Sequence, residues 1–380
     1  MIPMITTDRL LDTFLELCAI DAEPTRERAM ADRMTVLLGE LGFTVREDDA
    51  GARLGGNAGN LYATLPGTGP GETLLFSCHM DRVTPGTGVK PQRVGEYLVS
   101  DGSTVLGADD AAGLAALLEG VRTVREQGLP HPALEVVFSV AEELSLLGIE
   151  QFDMSRLVSR CGFVLDAGGP VGEIVVRAPE QVRLSAVIHG RAAHAGIAPE
   201  DGVSAIQIAA LAIARMQLLR IDEETTANIG SIRADGPTNI VPERCELSAE
   251  VRSLDPARLA CQVAAMRQAL EEVAGAAGGQ VEITLRSNYR SYRLEPTTAP
   301  VHRASAAARR LGLPLRYRST GGGSDANFLN ERGIPTAVLC CGYEKVHTCE
   351  ERMPVEQLRL LAQWVVAILT GKDDAAAGAA

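Results

Sequence analysis

Aromatic side chains are scarce in this sequence, at 4% of 380 residues with a single tryptophan. Any sizeable core therefore has to be built from Ala, Val, Leu and Ile. Apolar residues still make up 46% of the chain, and its length exceeds one average domain, so two domains are expected. Positive charge is also short. The formal net charge of −13 argues against the basic face that a nucleic acid or an anionic membrane requires. No apolar run reaches the length of a membrane span. The N-terminus lacks a basic region followed by an apolar stretch, and Asp8 and Arg9 interrupt it early. A soluble, cytoplasmic protein is expected. The eight cysteines show neither regular spacing nor a C-x-x-C pair. Cys18, Cys161, Cys245, Cys261 and Cys340 sit in apolar segments and are expected to be reduced core thiols.

What the sequence does carry is a regular succession of short apolar runs and amphipathic stretches. Leu10, Leu11, Phe14, Leu15 and Cys18 fall at helical spacing, and a second helix is expected over 25–41, ended by Gly42. Strands are expected at 60–65, 73–77, 134–140 and 162–165, with a strong helix at 111–127. Strands alternating with helices indicate an α/β layered domain with a mostly parallel sheet. Near Pro179 the pattern changes. Strands at 182–189, 228–233, 245–252 and 281–286 and helices at 202–219 and 256–274 follow the β-α-β-β-α-β order of the split ferredoxin-like unit. The α/β pattern then resumes with a helix at 299–311, a Gly-rich loop at 321–323 and a strand at 336–340. The expected organisation is a three-layer α/β domain, residues 1–178 and 294–380, interrupted by a ferredoxin-like α+β domain, residues 179–293. The tail at 373–380 is rich in Ala and Gly and expected to be disordered.

Acidic and histidine residues gather where these apolar runs end. Glu142 and Glu143 follow the run at 134–141. Adjacent like charges there push one pKa up and resist desolvation. A metal site that also needs a general base accommodates both, while a solvated loop start is the plainer alternative. His79 and Asp81 follow Leu74, Leu75 and Phe76, where open α/β sheets gather ligands. A ligating His often gives its other ring N–H to a carboxylate, a place Asp81 can fill; a surface turn is the alternative. Asp109 and Asp110 lead into the helix at 111–127. An Asp cap is worth about 1 kcal/mol and needs only one of them, which leaves Asp109 free to bridge two cations. Asp166 ends another apolar run before Gly168 and Gly169, where an Asp-containing turn is the alternative. His347 follows the run at 337–340, or is an ordinary loop histidine. Together these give two His and three acidic ligands, each after an expected strand. Such ligands suit zinc, cobalt or manganese better than calcium. Five ligands with one bridging is the economy of a two-metal hydrolase, whose ions lie about 3.5–4 Å apart.

In order and context, Ser77-Cys78-His79-Met80-Asp81, Gly107-Ala108-Asp109-Asp110-Ala111-Ala112-Gly113, Ala141-Glu142-Glu143, Asp166, Gly321-Gly322-Gly323-Ser324-Asp325-Ala326-Asn327 and His347-Thr348 resemble one group of proteins. These are the zinc-dependent exopeptidases and deacylases of the peptidase T, carboxypeptidase G and aminoacylase group. The resemblance covers nearly the whole chain and is closest to the peptidase T-like tripeptide aminopeptidases. It implies that His79 and Asp166 bind one metal, that Glu143 and His347 bind the other, and that Asp109 bridges them. It makes Glu142 the general base and Asp81 the residue that orients His79. The inserted domain becomes a lid and dimerisation domain. His194 is expected to stabilise the oxyanion, in many relatives from the partner subunit. Asn239 and Arg252 are expected to anchor the substrate, and the loop with Gly323 and Ser324 to hold it near the metals.

The resemblance further implies two divalent ions, zinc first with cobalt or manganese as alternatives, a short peptide substrate and a homodimer. Asp rather than Glu at position 166 goes with aminopeptidases and dipeptidases in that group. An N-acyl amino acid hydrolase or a carboxypeptidase on the same scaffold is the alternative. A non-catalytic peptide-binding relative is disfavoured because the base and every ligand are present. Two departures stand out. Arg82 follows Asp81 where relatives carry a small or neutral residue, and is expected to alter the pocket's charge. Cys78 precedes His79 where Gly or Ser is common, with little effect expected.

Overall fold

The computed structural model describes residues 4–371; the tail at 373–380 lies outside them. The chain divides into two compact units. The larger comprises the chain up to Arg177, Arg293–Ser319 and the chain from Ser324 onward. The smaller comprises Ala178–Tyr292 and the loop Thr320–Gly323.

At the centre of the larger unit are four adjacent strands, in the order Leu134–Ser139, Leu74–His79, Cys161–Ala167 and Thr336–Cys340. All four run parallel. Antiparallel strands Leu61–Leu65 and Thr44–Glu47 extend the sheet on one side. Glu173–Ala178 and Arg316–Ser319 extend it on the other. Every residue of Leu74–His79, Leu134–Ser139 and Thr336–Cys340 is buried. That explains why they read as continuous apolar runs rather than alternating ones, because both faces of a parallel sheet are covered. Helices Thr7–Ala19, Ala108–Glu126, Ala299–Leu311 and Val355–Leu369 pack on one another. The lone tryptophan, Trp364, is fully buried among them, and its indole N–H donates to the Ala304 carbonyl at 3.0 Å. Helix Val355–Leu369 and the exposed edge strands Thr44–Glu47 and Arg316–Ser319 emerge only from the structure. The register places His79 opposite Ser139 and Cys340 opposite Ala167. The carboxyl ends of the four parallel strands therefore open at one edge of the sheet.

The smaller unit is a five-stranded antiparallel sheet in the order Leu219–Arg220, Thr225–Arg233, Arg244–Ser253, Glu180–His189, Gln280–Tyr289. Helices Ala205–Arg215 and Pro256–Ala276 cover one face, so burial alternates along Arg244–Ser253. Ser204 caps the first helix, accepting from the N–H of Gln207, and Asp255 caps the second, with Pro256 in its first turn. Leu184, Ile188, Ile208, Met266 and Leu270 lie in the core between them. Apart from the additional two-residue strand Leu219–Arg220, the order is the expected β-α-β-β-α-β.

Arg82 has a structural place as well as a charge. It is buried, and its guanidinium donates to the carbonyls of Leu17, Cys18 and Ile20, where helix Thr7–Ala19 ends. A cation over the last carbonyls of a helix satisfies acceptors that have no partner within it. Its donors are committed to that helix end, while its charge still acts on Glu351 and Asp81 nearby. Arg82→Met keeps the aliphatic stem and removes the donors. Because buried hydrogen bonds to charged groups contribute about 1.5–3 kcal/mol each, the unfolding free energy is expected to fall by about 3 kcal/mol or more. Urea denaturation measures this, and bound metal should persist under native conditions.

Candidate metal centre

His79 is the last residue of strand Leu74–His79, and Asp166 lies in strand Cys161–Ala167 beside it. Glu142 and Glu143 follow strand Leu134–Ser139 after Ala141, a non-glycine residue with φ +49°. His347 itself has φ +61°. Side chains of this kind occupy the left-handed region only where their surroundings impose it, and here such residues flank the cluster on two sides. Asp109 enters helix Ala108–Glu126 with non-helical angles. Asp110 does the capping: its carboxylate accepts from the N–H of Gly113 at 3.0 Å and of His79 at 3.3 Å. That leaves the Asp109 carboxylate free of the helix.

The five expected ligands come together. Asp109 Oδ1 lies 2.9 Å from His79 Nε2, and Asp109 Oδ2 lies 3.4 Å from His347 Nε2. One carboxylate thus presents an oxygen to each imidazole. Asp166 Oδ1 is 3.7 Å from His79 Nε2, and Glu143 Oε1 is 3.1 Å from His347 Nε2. His79, Glu142 and Asp166 offer ligand atoms within 4.8 Å of one another, as do His79, Asp109 and Glu143. The His79 Nδ1 lies 2.9 Å from the Asp81 backbone carbonyl. A carbonyl only accepts, so Nδ1 carries the proton and Nε2 faces the carboxylates. The Asp81 carboxylate is 3.5 Å from that ring. It accepts instead from the N–H groups of Glu142 at 3.0 Å and Glu143 at 3.1 Å. Asp81 therefore orients His79 through its main chain and the two glutamates through its side chain.

The electrostatics favour a cation here. Burial, then the charge of Asp166, pushes the Glu142 carboxyl well above its usual range. Burial, then Asp109, pushes Asp166 up to about 8. Burial opposes ionisation of Asp109, but His347 and His79 hold it below the usual carboxylate range. Contacts with Asp109 and then Glu143 push His347 up to about 10. Four carboxylates thus face two imidazoles. Glu143 Oε1 is buried, and its near partner is His347 Nε2, an imidazole nitrogen it shares with Asp109, so buried anionic oxygens outnumber their donors. A mixed nitrogen and carboxylate donor set with more carboxylates than imidazoles fits divalent metal ions.

Comparison with known proteins agrees with this geometry. Residues 60–175 match the model of peptidase family M28, and residues 181–277 match a peptidase dimerisation domain. The crystal structure of aminopeptidase PepT from Bacillus cereus ATCC 10987 is 44% identical, with a TM-score of 0.88 over 97% of this chain and 99% of that one. A tripeptidase from Staphylococcus aureus subsp. aureus mu50 is 43% identical, with a TM-score of 0.92 over 97% of this chain and 98% of that one. The chain belongs to the peptidase T-like metallopeptidases. An uncharacterized Bacillus subtilis (strain 168) protein, YqjE, is 43% identical over 96% of this chain and 99% of its own length. A dinuclear metal-binding peptidase of the M20 family from Bacillus subtilis shares the fold at 18% identity and a TM-score of 0.71, covering 96% of this chain and 97% of that one. This peptidase T-like chain is thus a hydrolase that uses divalent metal ions.

The remaining expected residues are placed as follows. His194, Asn239, Arg252 and Gly323 belong to the smaller unit. There His194 pairs with Ile240, and the Ala195 N–H donates to the Asn239 carbonyl at 2.9 Å, which sets His194 beside Asn239. Arg252 makes a two-point contact with Glu250 at 2.9 and 3.2 Å and reaches the Gly321 carbonyl at 3.4 Å. A side chain at Gly323 would collide with the Tyr289 ring. Ser324 belongs to the larger unit, where its hydroxyl caps helix Asp325–Glu331 in a reciprocal box with Asn327. Two residues around the cluster lack a clear sequence signal. Glu351 is buried and accepts from the N–H groups of Gly107 at 2.7 Å and Asp109 at 3.1 Å. The Tyr343 hydroxyl lies 3.2 Å from Asp166 Oδ1. Of the cysteines, Cys261 is exposed rather than in the core, and Cys349 is also exposed.

The double clamp of Asp81 is testable. In Asp81→Asn an amide nitrogen replaces one accepting oxygen and faces a backbone N–H. Loss of such outer partners weakens metal binding by about 10–100-fold, and equilibrium dialysis against buffered zinc should show that loss with the fold retained.

Proposed function

We propose that this chain is a two-metal aminopeptidase that releases the N-terminal residue of tripeptides and other short peptides. The observation that carries it is the Asp109 carboxylate, which offers one oxygen to His79 and the other to His347 while Glu142 lies buried in the same cluster. The aminopeptidase and tripeptidase among the similar structures, and Asp at position 166, support release from a free N-terminus. In this reading His79 and Asp166 hold one ion, Glu143 and His347 hold the other, and Asp109 holds both. Zinc is the assigned metal. When bound, the ions supply Lewis-acid polarisation and a lowered pKa for water. Glu142 takes a proton from the attacking water and hands it to the leaving amine. Asp81 fixes the two glutamates and His79. His194 donates to the oxyanion. Asn239, Arg252 and the backbone at Gly323 and Ser324 hold the substrate. A guanidinium suits a substrate carboxylate, which would share Arg252 with Glu250.

The smaller unit serves as lid and dimer contact in this reading. The dimerisation-domain match and the exposed Ile206, Leu211, Ile232 and Leu285 support a homodimer. No helix among the described residues is long and apolar enough to cross a membrane. No disulfide joins the cysteines among the described residues, in accord with a reducing, cytoplasmic setting.

Zinc-loaded and chelated protein, offered free tripeptides, dipeptides and N-acylated amino acids, tests the reading. Release of the N-terminal residue from tripeptides, lost on chelation and restored by zinc, is the expected result. A preference for N-blocked substrates would overturn it. Glu142→Gln should abolish turnover while keeping metal content near that of the unaltered protein. Loss of metal together with activity would mean that the two glutamates exchange roles.

A further inference from the structure

We propose that Tyr343 is a positioning residue of the metal centre, whose hydroxyl holds the Asp166 carboxylate and so governs the metal position shared with His79. The inference rests on the two-metal reading above. The Tyr343 hydroxyl lies 3.2 Å from Asp166 Oδ1 and 3.5 Å from Asp109 Oδ1. Both are the oxygens that face His79 Nε2, at 3.7 and 2.9 Å. The oxygen that Asp109 turns to His347 is its other one, Oδ2. The tyrosine therefore sits on one half of the cluster only. A carboxylate only accepts and a phenol has a single proton to donate. The shorter contact takes it, and Asp166 is held in one rotation about its Cβ–Cγ bond.

The backbone leaves the ring little freedom. Two residues before it, the Cys341 N–H donates to the Ala167 carbonyl at 2.8 Å. Immediately after it, Glu344 and Arg352 exchange backbone hydrogen bonds at 2.9 and 3.0 Å. Between these anchors Gly342 turns the chain at φ +91°, where a side chain would collide with Gln357. The ring itself is buried beside Gly168, two residues beyond Asp166. A phenylalanine would fill the same space. What tyrosine adds is one hydroxyl, and burying it is favourable only against an acceptor.

Competition against a chromophoric chelator, with zinc as the probe, tests this. The unaltered protein should take up two ions. In Tyr343→Phe one ion should bind about 10–100-fold more weakly and the other with unchanged affinity. In an Asp166→Ala background the same substitution should add no further loss, because the acceptor it acts through is already gone. Unchanged affinity for both ions, equal weakening of both, or a full further loss in the Asp166→Ala background would each overturn the proposal. A wild-type protein that takes up no zinc would overturn the metal reading and this inference with it, before any variant is made. Should Tyr343→Phe fail to fold, the unaltered chain still decides: zinc uptake should give a tyrosine difference band in the near-ultraviolet, and its absence would overturn the proposal.

Discussion

Asp109, Asp166, Glu142 and Glu143 meet within a small buried volume, and like charges so placed resist both burial and one another. The larger unit holds them there through a surrounding set of acids that grip the main chain. Asp81 takes the N–H groups of Glu142 and Glu143, Glu351 takes those of Gly107 and Asp109, and Asp110 takes those of His79 and Gly113. Glu27 takes those of Thr25 and Ala141. Asp325 draws the hydroxyls of Ser77 and Ser139 to one oxygen, at 2.9 and 2.7 Å, across two neighbouring strands. The turns that carry His79, Asp109, Glu142 and Glu143 are thus each fixed by a buried carboxylate outside the set of five proposed ligands. Such preorganisation spares the turns from reordering when a cation arrives.

The smaller unit shows the same economy on its own terms. Asn288 donates to Gln181 at 2.8 Å, Gln181 donates to Glu250 at 2.6 Å, and Glu250 receives Arg252 at two points. A guanidinium aligned in this way has little rotamer freedom left to lose. Its outer amine is the one that reaches the Gly321 carbonyl, which ties the Gly-rich loop to the strand that carries Arg252.

Much of this was legible in the sequence for a simple reason. His79, Glu142, Glu143 and Asp166, four of the cluster's residues, stand at or just after the ends of buried strands, and such strands appear as unbroken apolar runs with a charge after them. The helix expected over 256–274 starts at Pro256, whereas the one expected from 202 starts only after its cap Ser204. What escaped notice depends on neighbours distant in sequence. Tyr343 matters because strand Thr336–Cys340 lies beside Cys161–Ala167, an adjacency no local pattern declares. Glu351 looks like one more surface charge in Cys349-Glu350-Glu351-Arg352, yet it is buried while Glu350 is exposed. Arg82 looks like a charge in a pocket, and only the approach of helix Thr7–Ala19 shows where its guanidinium goes. The edge strands Thr44–Glu47 and Arg316–Ser319 are largely exposed and lack the apolar signal.

The order of the central strands also has a temporal meaning. Cys161–Ala167 and Thr336–Cys340 are neighbours in space, but the whole smaller unit is synthesised between them. A chain that has emerged from the ribosome as far as residue 330 possesses His79, Asp109, Glu143 and Asp166 but lacks the last central strand and His347. Pairing across so long a separation comes late in folding. The cluster therefore stays incomplete until the polypeptide is almost finished, because its last histidine arrives only with the final stretch of the chain.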